Sequence, residues 1–160
     1  MKFILFIACW FCFGITSIDI EEIRKGYIKA IKSKTTTKKY LKHFQTNKPA
    51  NPLEACYKGV FYCLRARHSV LPGKKVSYLQ TGLVFINDAV GKSPGDLEIR
   101  FHRFAAEKEI PGFIKYKNNT VSDKQFIVEN YDPAHPFADF IYKYMIGKGG
   151  CKASDFKGKE

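Results

Sequence analysis

The sequence lacks the short motifs by which many catalytic centres are recognised. It contains no Gly-x-Ser-x-Gly nucleophile elbow. The glycine-rich run Gly147-Lys148-Gly149-Gly150 follows a predicted helix and precedes no further element, so it does not predict a phosphate-binding loop. His68 and Ser69 are neighbours in sequence only, which is not triad geometry. The sequence therefore predicts no catalytic residues and no cofactor.

The sequence also lacks paired metal ligands. Its four histidines are spread singly along the chain, at positions 43, 68, 102 and 135. Zinc sites use histidines or cysteines in pairs with a third ligand nearby. Glu98 and His102 share one helix face, but a di-metal carboxylate site needs a second such pair, and none occurs. No metal site is predicted.

Cysteines are few in the part of the chain expected to remain after export. Cys9 and Cys12 lie in the N-terminal segment, which leaves three, an odd number that does not form a self-contained disulfide framework. Cys56 and Cys63 fall in one predicted helix at a separation of about 10 Å, too far apart to bridge. Both are expected to be buried thiols. Whether Cys151 pairs with either of them stays open.

The first 17 residues have the pattern of a secretory signal peptide. One lysine precedes an uncharged run from Phe3 to Ile15, and small hydroxyl residues follow before the chain turns acidic at Asp19. The run is too short to span a bilayer well. We expect cleavage near Ser17 and a protein of the periplasm or cell envelope. The alternatives are an uncleaved anchor, a buried helix, or a lipoprotein acylated at Cys9.

Acidic residues are scarce relative to basic ones. The chain has 27 Lys and Arg against 15 Asp and Glu, a net charge of +12, and removal of Lys2 leaves +11. This charge predicts attraction to anionic surfaces, or simply a solvated basic surface that keeps the protein soluble. Export and the dispersion of the lysines disfavour nucleic acid. The expected partners are an unidentified protein or peptide, with peripheral contact between the basic N-terminal helices and anionic membrane.

Apolar residues recur at helical spacing along the whole chain. Ile20, Ile23 and Tyr27 predict a helix over residues 19–34, with acids at its start and lysines at its end. Asn51, Pro52 and Glu54 supply a cap, a first-turn proline and an acid, and predict a helix over 52–68. The length suits one domain, predicted over 18–147, followed by a basic, disordered tail over 148–160.

Later helix starts follow the same logic. Ser93 and Pro94 predict a helix that begins at Pro94, and Phe113 to Tyr116 suit a short helix. Pro52, Pro94 and Pro136 are 42 residues apart, a spacing typical of repeated helix pairs. The predicted fold is all-α, with about seven helices in consecutive antiparallel hairpins, arranged as a tetratricopeptide-like or irregular array.

A family resemblance rests on several runs of residues. The main ones are Phe85-Ile86-Asn87-Asp88-Ala89-Val90, Glu98-Ile99-Arg100-Phe101 and Asp123-Lys124-Gln125-Phe126-Ile127. Over residues 20–146 the chain resembles a family of exported, tetratricopeptide-like helical proteins from Gram-negative bacteria. The resemblance implies helical hairpins and a periplasmic or membrane-associated setting, and it implies no activity. The tryptophan and Leu-Gly signature of strict tetratricopeptide repeats is missing.

The richest group of polar side chains lies between positions 98 and 103. Glu98, Arg100 and Arg103 are predicted to form a structural ion pair, with Glu107 or a carboxylate of a neighbouring helix as further partners. Alternatively, Glu98, Arg100 and His102 form the site of a small ligand-binding protein or enzyme. If the hairpins form a groove, a peptide carboxylate or other partner could bind four arginines there: Arg65, Arg67, Arg100 and Arg103. Six tyrosines on or beside the apolar stripes would suit the rim of such a groove: Tyr57, Tyr62, Tyr78, Tyr116, Tyr142 and Tyr144.

Overall fold

The computed structural model describes residues 18–111, 114, 116 and 119–156. Within these residues the chain forms seven α-helices and no β-strand, which confirms the all-α prediction. The helices are α1 (Ile20–Ala30), α2 (Lys34–Thr46), α3 (Pro52–Arg67), α4 (Pro72–Lys92), α5 (Leu97–Lys108), α6 (Thr120–Glu129) and α7 (Ala138–Tyr144). The predicted signal peptide lies outside the described residues, as does most of the short helix predicted around Phe113.

Side-chain caps fix where several helices begin. The Asn51 side chain accepts a hydrogen bond from the Glu54 amide at 2.9 Å, and the Glu54 carboxylate accepts one from the Ala50 amide at 2.9 Å. The predicted start at Pro52 is therefore confirmed. The predicted start at Pro94 is wrong, because Asp96 caps α5 by accepting from the Ile99 amide at 2.9 Å.

The 42-residue proline spacing does not mark equivalent positions. Pro52 is the first residue of α3, whereas Pro94 lies three residues before α5 and Pro136 two residues before α7. Only one of the three prolines thus begins a helix. The spacing is not a repeat of helix starts.

Helices α3 and α4 form a long antiparallel hairpin. The Tyr62 ring stacks on Phe85 at 6.0 Å, and the Arg65 guanidinium lies over the Tyr78 ring at 5.5 Å. Residues later in α3 therefore contact residues earlier in α4, as in an antiparallel pair. The helices are closest at Gly59 and Gly82. A Cβ on Gly59 would lie 2.6 Å from the Gly82 carbonyl oxygen, closer than real Cβ contacts.

Helices α1 and α2 pack on one side of α3. The Tyr40 ring lies against Gly26, and its hydroxyl donates to the Glu22 carbonyl at 3.0 Å. The same ring stacks on Phe61 at 4.9 Å. His68, just after α3, donates from Nε2 to the carbonyl of Ala30, the last residue of α1, at 2.9 Å. The α1–α2 and α3–α4 turns therefore lie at the same end of the molecule.

Helix α5 runs through the interior. Nine of its twelve residues are buried, including Glu98, His102, Arg103 and Glu107. A helix buried on most of its faces must satisfy its charged side chains with partners from other helices. The polar chemistry of the protein is consequently concentrated around α5.

The predicted disordered tail over residues 148–160 is folded as far as Phe156. Gly150 has a φ of 74°, and the following Cys151 amide donates to the Met145 carbonyl at 3.0 Å, so the chain reverses direction here. The Phe156 ring is 1% exposed and packs edge-on against Tyr131 at 5.0 Å. The glycines permit the reversal, and burial of one aromatic ring stabilises it. Residues 157–160 lie outside the described range.

Candidate functional site

Glu98 lies at the centre of a buried hydrogen-bonded group, which we call the Glu98 centre. Arg24 of α1 donates from Nε to Glu98 Oε1 at 3.0 Å and from Nη2 to Oε2 at 2.6 Å. Tyr57 of α3 donates its hydroxyl to Oε1. Arg24 also contacts Glu21, one turn earlier in α1. Three helices thus meet on one carboxylate that is fully buried.

These contacts keep Glu98 and Arg24 charged. Burial by itself would raise the pKa of Glu98, but hydrogen bonds from Arg24 and Tyr57 hold it below its ordinary value. The hydrogen bond with Glu98 raises the pKa of Arg24 despite burial. Burial and the nearby Glu98 charge raise the pKa of Tyr57, which stays a neutral donor. The group is a buried ion pair with one neutral hydrogen-bond partner.

His102 lies beside this group in an aromatic environment. Its ring is edge-on to Tyr57 at 4.6 Å and to Tyr27 at 5.0 Å, and it is 1% exposed. Burial lowers its pKa to about 4, so the imidazole is neutral at pH 7. Nε2 lies 4.0 Å from Glu98 Oε1, too far for a hydrogen bond, and has no hydrogen-bond partner among the described residues.

His135, between α6 and α7, approaches the other side of the carboxylate. Its Nδ1 accepts a hydrogen bond from the Phe137 amide at 3.0 Å. In the neutral ring the proton therefore lies on Nε2, which is 3.8 Å from Glu98 Oε2. His135 is half-buried and lies at the edge of the Glu98 centre.

Asp123 of α6 is the acceptor of a second buried group, the Asp123 centre. Arg103 donates to it in bidentate fashion, from Nε and Nη2, each at 2.7 Å. Arg100 Nε lies 2.8 Å from Asp123 Oδ1, but the angle does not make a hydrogen bond. The Arg100 guanidinium also lies over the Phe126 ring at 4.5 Å. The hydrogen bond to Asp123 raises the pKa of Arg103.

Glu107 fixes the end of the α5–α6 connection. It accepts hydrogen bonds from the Asn119 amide and from Asn119 Nδ2, the latter at 2.9 Å. It also accepts one from the Tyr116 hydroxyl at 3.2 Å, and that hydroxyl accepts from Asn87 Nδ2 at 2.9 Å. Helices α4, α5 and α6 are tied together through one buried carboxylate.

The structure divides the predicted ion pair of Glu98, Arg100 and Arg103 between two carboxylates. Arg100 and Arg103 both bind Asp123. Asp123 lies on a neighbouring helix, and a carboxylate of a neighbouring helix was one of the predicted partners. Glu98 instead binds Arg24, a partner that the sequence pattern did not predict. The signal for Arg24 was its place in α1 between Ile23 and Tyr27, on a stripe that is otherwise apolar.

The four arginines predicted to bind a partner do not act as one set. Arg100 and Arg103 bind Asp123. Arg65 lies over the Tyr78 ring in the α3–α4 hairpin, and Arg67 is exposed at the end of α3. Arg100 contacts Asp123 and Phe126 and pairs with neither Glu98 nor His102. The alternative site of Glu98, Arg100 and His102 is therefore not assembled as predicted.

The cysteines are buried or partly buried thiols. All three in the described part of the chain are free, so the structure shows no disulfide at Cys151. Burial raises the pKa of Cys63 to about 12 and that of Cys56 well above its ordinary value. Neither side chain is a thiolate at neutral pH, and the reactive form of cysteine is the thiolate.

Two surface depressions border the described helices. The larger, about 710 Å³, lies between α5, α6 and the C-terminal segment and is lined in part by Phe104, Val121 and Lys124. The smaller, about 400 Å³, lies on α4 beside Tyr116. Of the tyrosines proposed for a groove rim, Tyr57 is instead fully buried. Neither depression opens onto the Glu98 centre.

Comparison with known proteins gives no relative. No family model, curated protein or solved structure matches this chain. The resemblance to exported tetratricopeptide-like proteins therefore stays a prediction. Over residues 18–111, 114, 116 and 119–156, no group of three His, Cys, Asp or Glu side chains is placed to hold a metal ion. In the same part of the chain no helix is long and apolar enough to cross a membrane.

Proposed function

We propose that this protein is a non-enzymatic helical interaction or scaffold module of the cell envelope that binds an anionic partner through the basic surface of α1–α4. The observation that carries the proposal is the distribution of charge. Between Ile23 and Asn87 the sequence has fourteen Lys and Arg residues and one acid, Glu54. The rest of the chain has thirteen Lys and Arg residues and fourteen Asp and Glu residues. The whole excess of positive charge thus belongs to the first four helices.

Most of this charge faces water. The exposed cations of this region are Lys25, Lys29, Lys32, Lys34, Lys38, Lys39, Lys42, Lys48, Arg67, Lys74 and Lys75. None of them lies within 4.0 Å of a carboxylate of the described residues. Their positive potential is therefore not neutralised locally, and a surface of one sign attracts and orients an oppositely charged partner.

The buried carboxylates of the interior hold helices together, which argues against a catalytic use of these groups. Glu98, Asp123 and Glu107 each accept hydrogen bonds from side chains or amides of other elements, an arrangement that fixes helix positions. The alternative of a ligand site or enzyme at Glu98, Arg100 and His102 has less support. Arg24 and Tyr57 engage both oxygens of Glu98, and Arg100 binds a different carboxylate.

The setting in the cell envelope rests on the signal-peptide pattern of residues 1–17. It is tested by N-terminal sequencing of the protein recovered from the periplasm or the membrane fraction. A new N-terminus near Ser17 is the expected result. A chain that still begins at Met1 in the cytoplasm would contradict it.

The binding proposal is tested by charge reversal with a matched control. In one variant Lys29, Lys32 and Lys39 of the basic surface become Glu, and in the other Lys143, Lys148 and Lys152 of the C-terminal part do. Both change the net charge equally, and circular dichroism checks that both fold. Each is used to capture partners from envelope extract at low and high salt.

Wild type and the control variant should retain the same salt-sensitive components, and the Lys29, Lys32 and Lys39 variant should lose them. Equal capture by all three proteins would contradict a role for the basic surface.

A further inference from the structure

The turn between α3 and α4 exposes two adjacent aliphatic side chains. Val70 is 87% exposed and Leu71 is 52% exposed. Only five large hydrophobic residues of the described chain are exposed, and this is the one place where two are consecutive. Single exposed apolar residues are common, so an adjacent exposed pair is the more informative observation.

Exposed cations surround this pair. Arg67 ends α3, and Lys74 and Lys75 lie in the first turn of α4. The hydrogen bond from His68 to Ala30 places the α1–α2 turn beside them, and that turn contributes Lys32 and Lys34, both exposed. We call Val70, Leu71 and these five cations the basic tip.

Within the segment from Ile23 to Asn87, negative charge is distant from the basic tip. Glu54, the one acid between Ile23 and Asn87, lies near the start of α3. The thirteen helical steps from Glu54 to Arg67 correspond to about 20 Å along the helix. That distance exceeds the screening length of about 8 Å at physiological salt. Among the described residues, no carboxylate lies within 4.0 Å of a cation of the basic tip, so these cations are available to an external anion.

We infer that the basic tip binds an anionic lipid bilayer, with Val70 and Leu71 inserted among the acyl chains and the five cations against headgroup phosphates. The inference rests on the proposed function, since it assigns the anionic partner of the basic surface. At the surface of an anionic bilayer, negatively charged headgroups lie directly above the acyl chains. An apolar pair surrounded by cations can contact both layers at once. A nucleic acid backbone offers phosphates without an adjacent apolar phase.

The expected binding is reversible and depends on salt. Each basic residue close to an anionic bilayer contributes about a fivefold gain in affinity. The aliphatic pair adds burial of apolar surface, which salt does not screen. Vesicles of neutral phosphatidylcholine should therefore bind weakly, and vesicles with added phosphatidylglycerol should bind tightly.

Insertion is tested with tryptophan reporters in the chain that begins at Ile18, the predicted product of cleavage after Ser17. The sequence has one tryptophan, Trp10, so this chain has none. Val70→Trp places a reporter in the basic tip, and Val121→Trp places one at an equally exposed position of α6. With anionic vesicles, the Val70→Trp emission should shift to shorter wavelength, and that of Val121→Trp should not.

Affinity is tested by vesicle sedimentation of matched variants. Val70→Ser combined with Leu71→Ser should weaken binding to anionic vesicles about tenfold or more. Lys74→Glu combined with Lys75→Glu should weaken it at least as much, and Val121→Ser should leave it unchanged. All of these residues are exposed, and circular dichroism confirms folding.

The outcomes separate this inference from the proposed function. If wild type binds anionic vesicles but the serine variant binds equally, or the Val70→Trp emission does not shift, the basic tip is not the membrane contact. If wild type ignores anionic vesicles yet captures envelope proteins in a salt-sensitive manner, the lipid inference is wrong and the proposed function stands. If both assays show no binding, both are wrong.

Discussion

Gly59 lies against the backbone of Gly82, and a Cβ on either residue would meet atoms of the opposite helix. A Cβ on Gly82 would lie 2.5 Å from Cys63 Sγ and 2.6 Å from the Gly59 carbonyl oxygen. The α3–α4 hairpin can close to this distance only with glycine at both positions.

Gly59→Ala or Gly82→Ala should therefore destabilise the protein by about 1–3 kcal/mol, since the backbone must move to relieve the contact. Gly91→Ala is the matched control. Gly91 is also in α4, with no atom near its Cβ position, and alanine there should be neutral or stabilise by up to about 1 kcal/mol. Urea unfolding followed by circular dichroism measures both. Equal stability of all variants would contradict the close helix crossing.

Glu98→Gln should be strongly destabilising. It removes the buried negative charge that compensates Arg24, and loss of one partner of a buried ion pair costs about 3–5 kcal/mol. Asp139→Asn breaks the exposed Lys143–Asp139 pair and serves as the control, with a change in stability close to zero. If Glu98→Gln melts at the wild-type temperature, the Glu98 centre does not stabilise the fold.

His102 should make stability fall on acidification. Its pKa is about 4 in the folded protein and 6.5 for the free side chain, so between these values the unfolded chain binds more protons. The free energy of unfolding should therefore decrease as the pH falls from about 6.5 to about 4, by about 3 kcal/mol in total.

A pH series of thermal melts tests this with wild type and His102→Phe. The phenylalanine variant should lose most of the decrease across that window. Below it, both proteins should lose the further stability that Glu98 contributes, because its lowered pKa means that protonation breaks the ion pair. Parallel curves for the two proteins from pH 6.5 to 4 would show that His102 is not the responsible group.

Phe156→Ala should destabilise the protein by about 3–5 kcal/mol, as expected for removal of a fully buried aromatic ring. Ser154→Ala changes an exposed residue of the same short helical turn and should have little effect. Thermal melting and limited proteolysis of the C-terminal segment give the readout. If Phe156→Ala behaves like Ser154→Ala, the segment does not belong to the core.

The helices could be predicted from the sequence because each one carries its own signal. The stripe of Ile20, Ile23 and Tyr27 and the cap at Asn51 are local patterns, and local patterns fix secondary structure. The start of α5 was misplaced for a local reason as well. Ser93 and Asp96 are both good caps three residues apart, and the structure uses Asp96.

The candidate site was harder to predict because its pairs are distant in sequence. Arg24 and Glu98 are 74 positions apart, and no spacing rule connects them. Arg103 and Asp123 are 20 positions apart on consecutive helices, and no spacing rule connects these two residues either. Phe156 was missed because one aromatic ring in a basic stretch gives no periodicity.

The bond between Arg24 and Glu98 also makes the order of the N-terminal helices depend on α5. Without α5, Arg24 has no carboxylate from that helix, and Tyr57 has no acceptor at Glu98. A truncated product that ends before residue 98 would carry both groups without these partners. A chain that lacks α5 should consequently be loosely ordered, because the buried side chains of Arg24 and Tyr57 then have no carboxylate to bind.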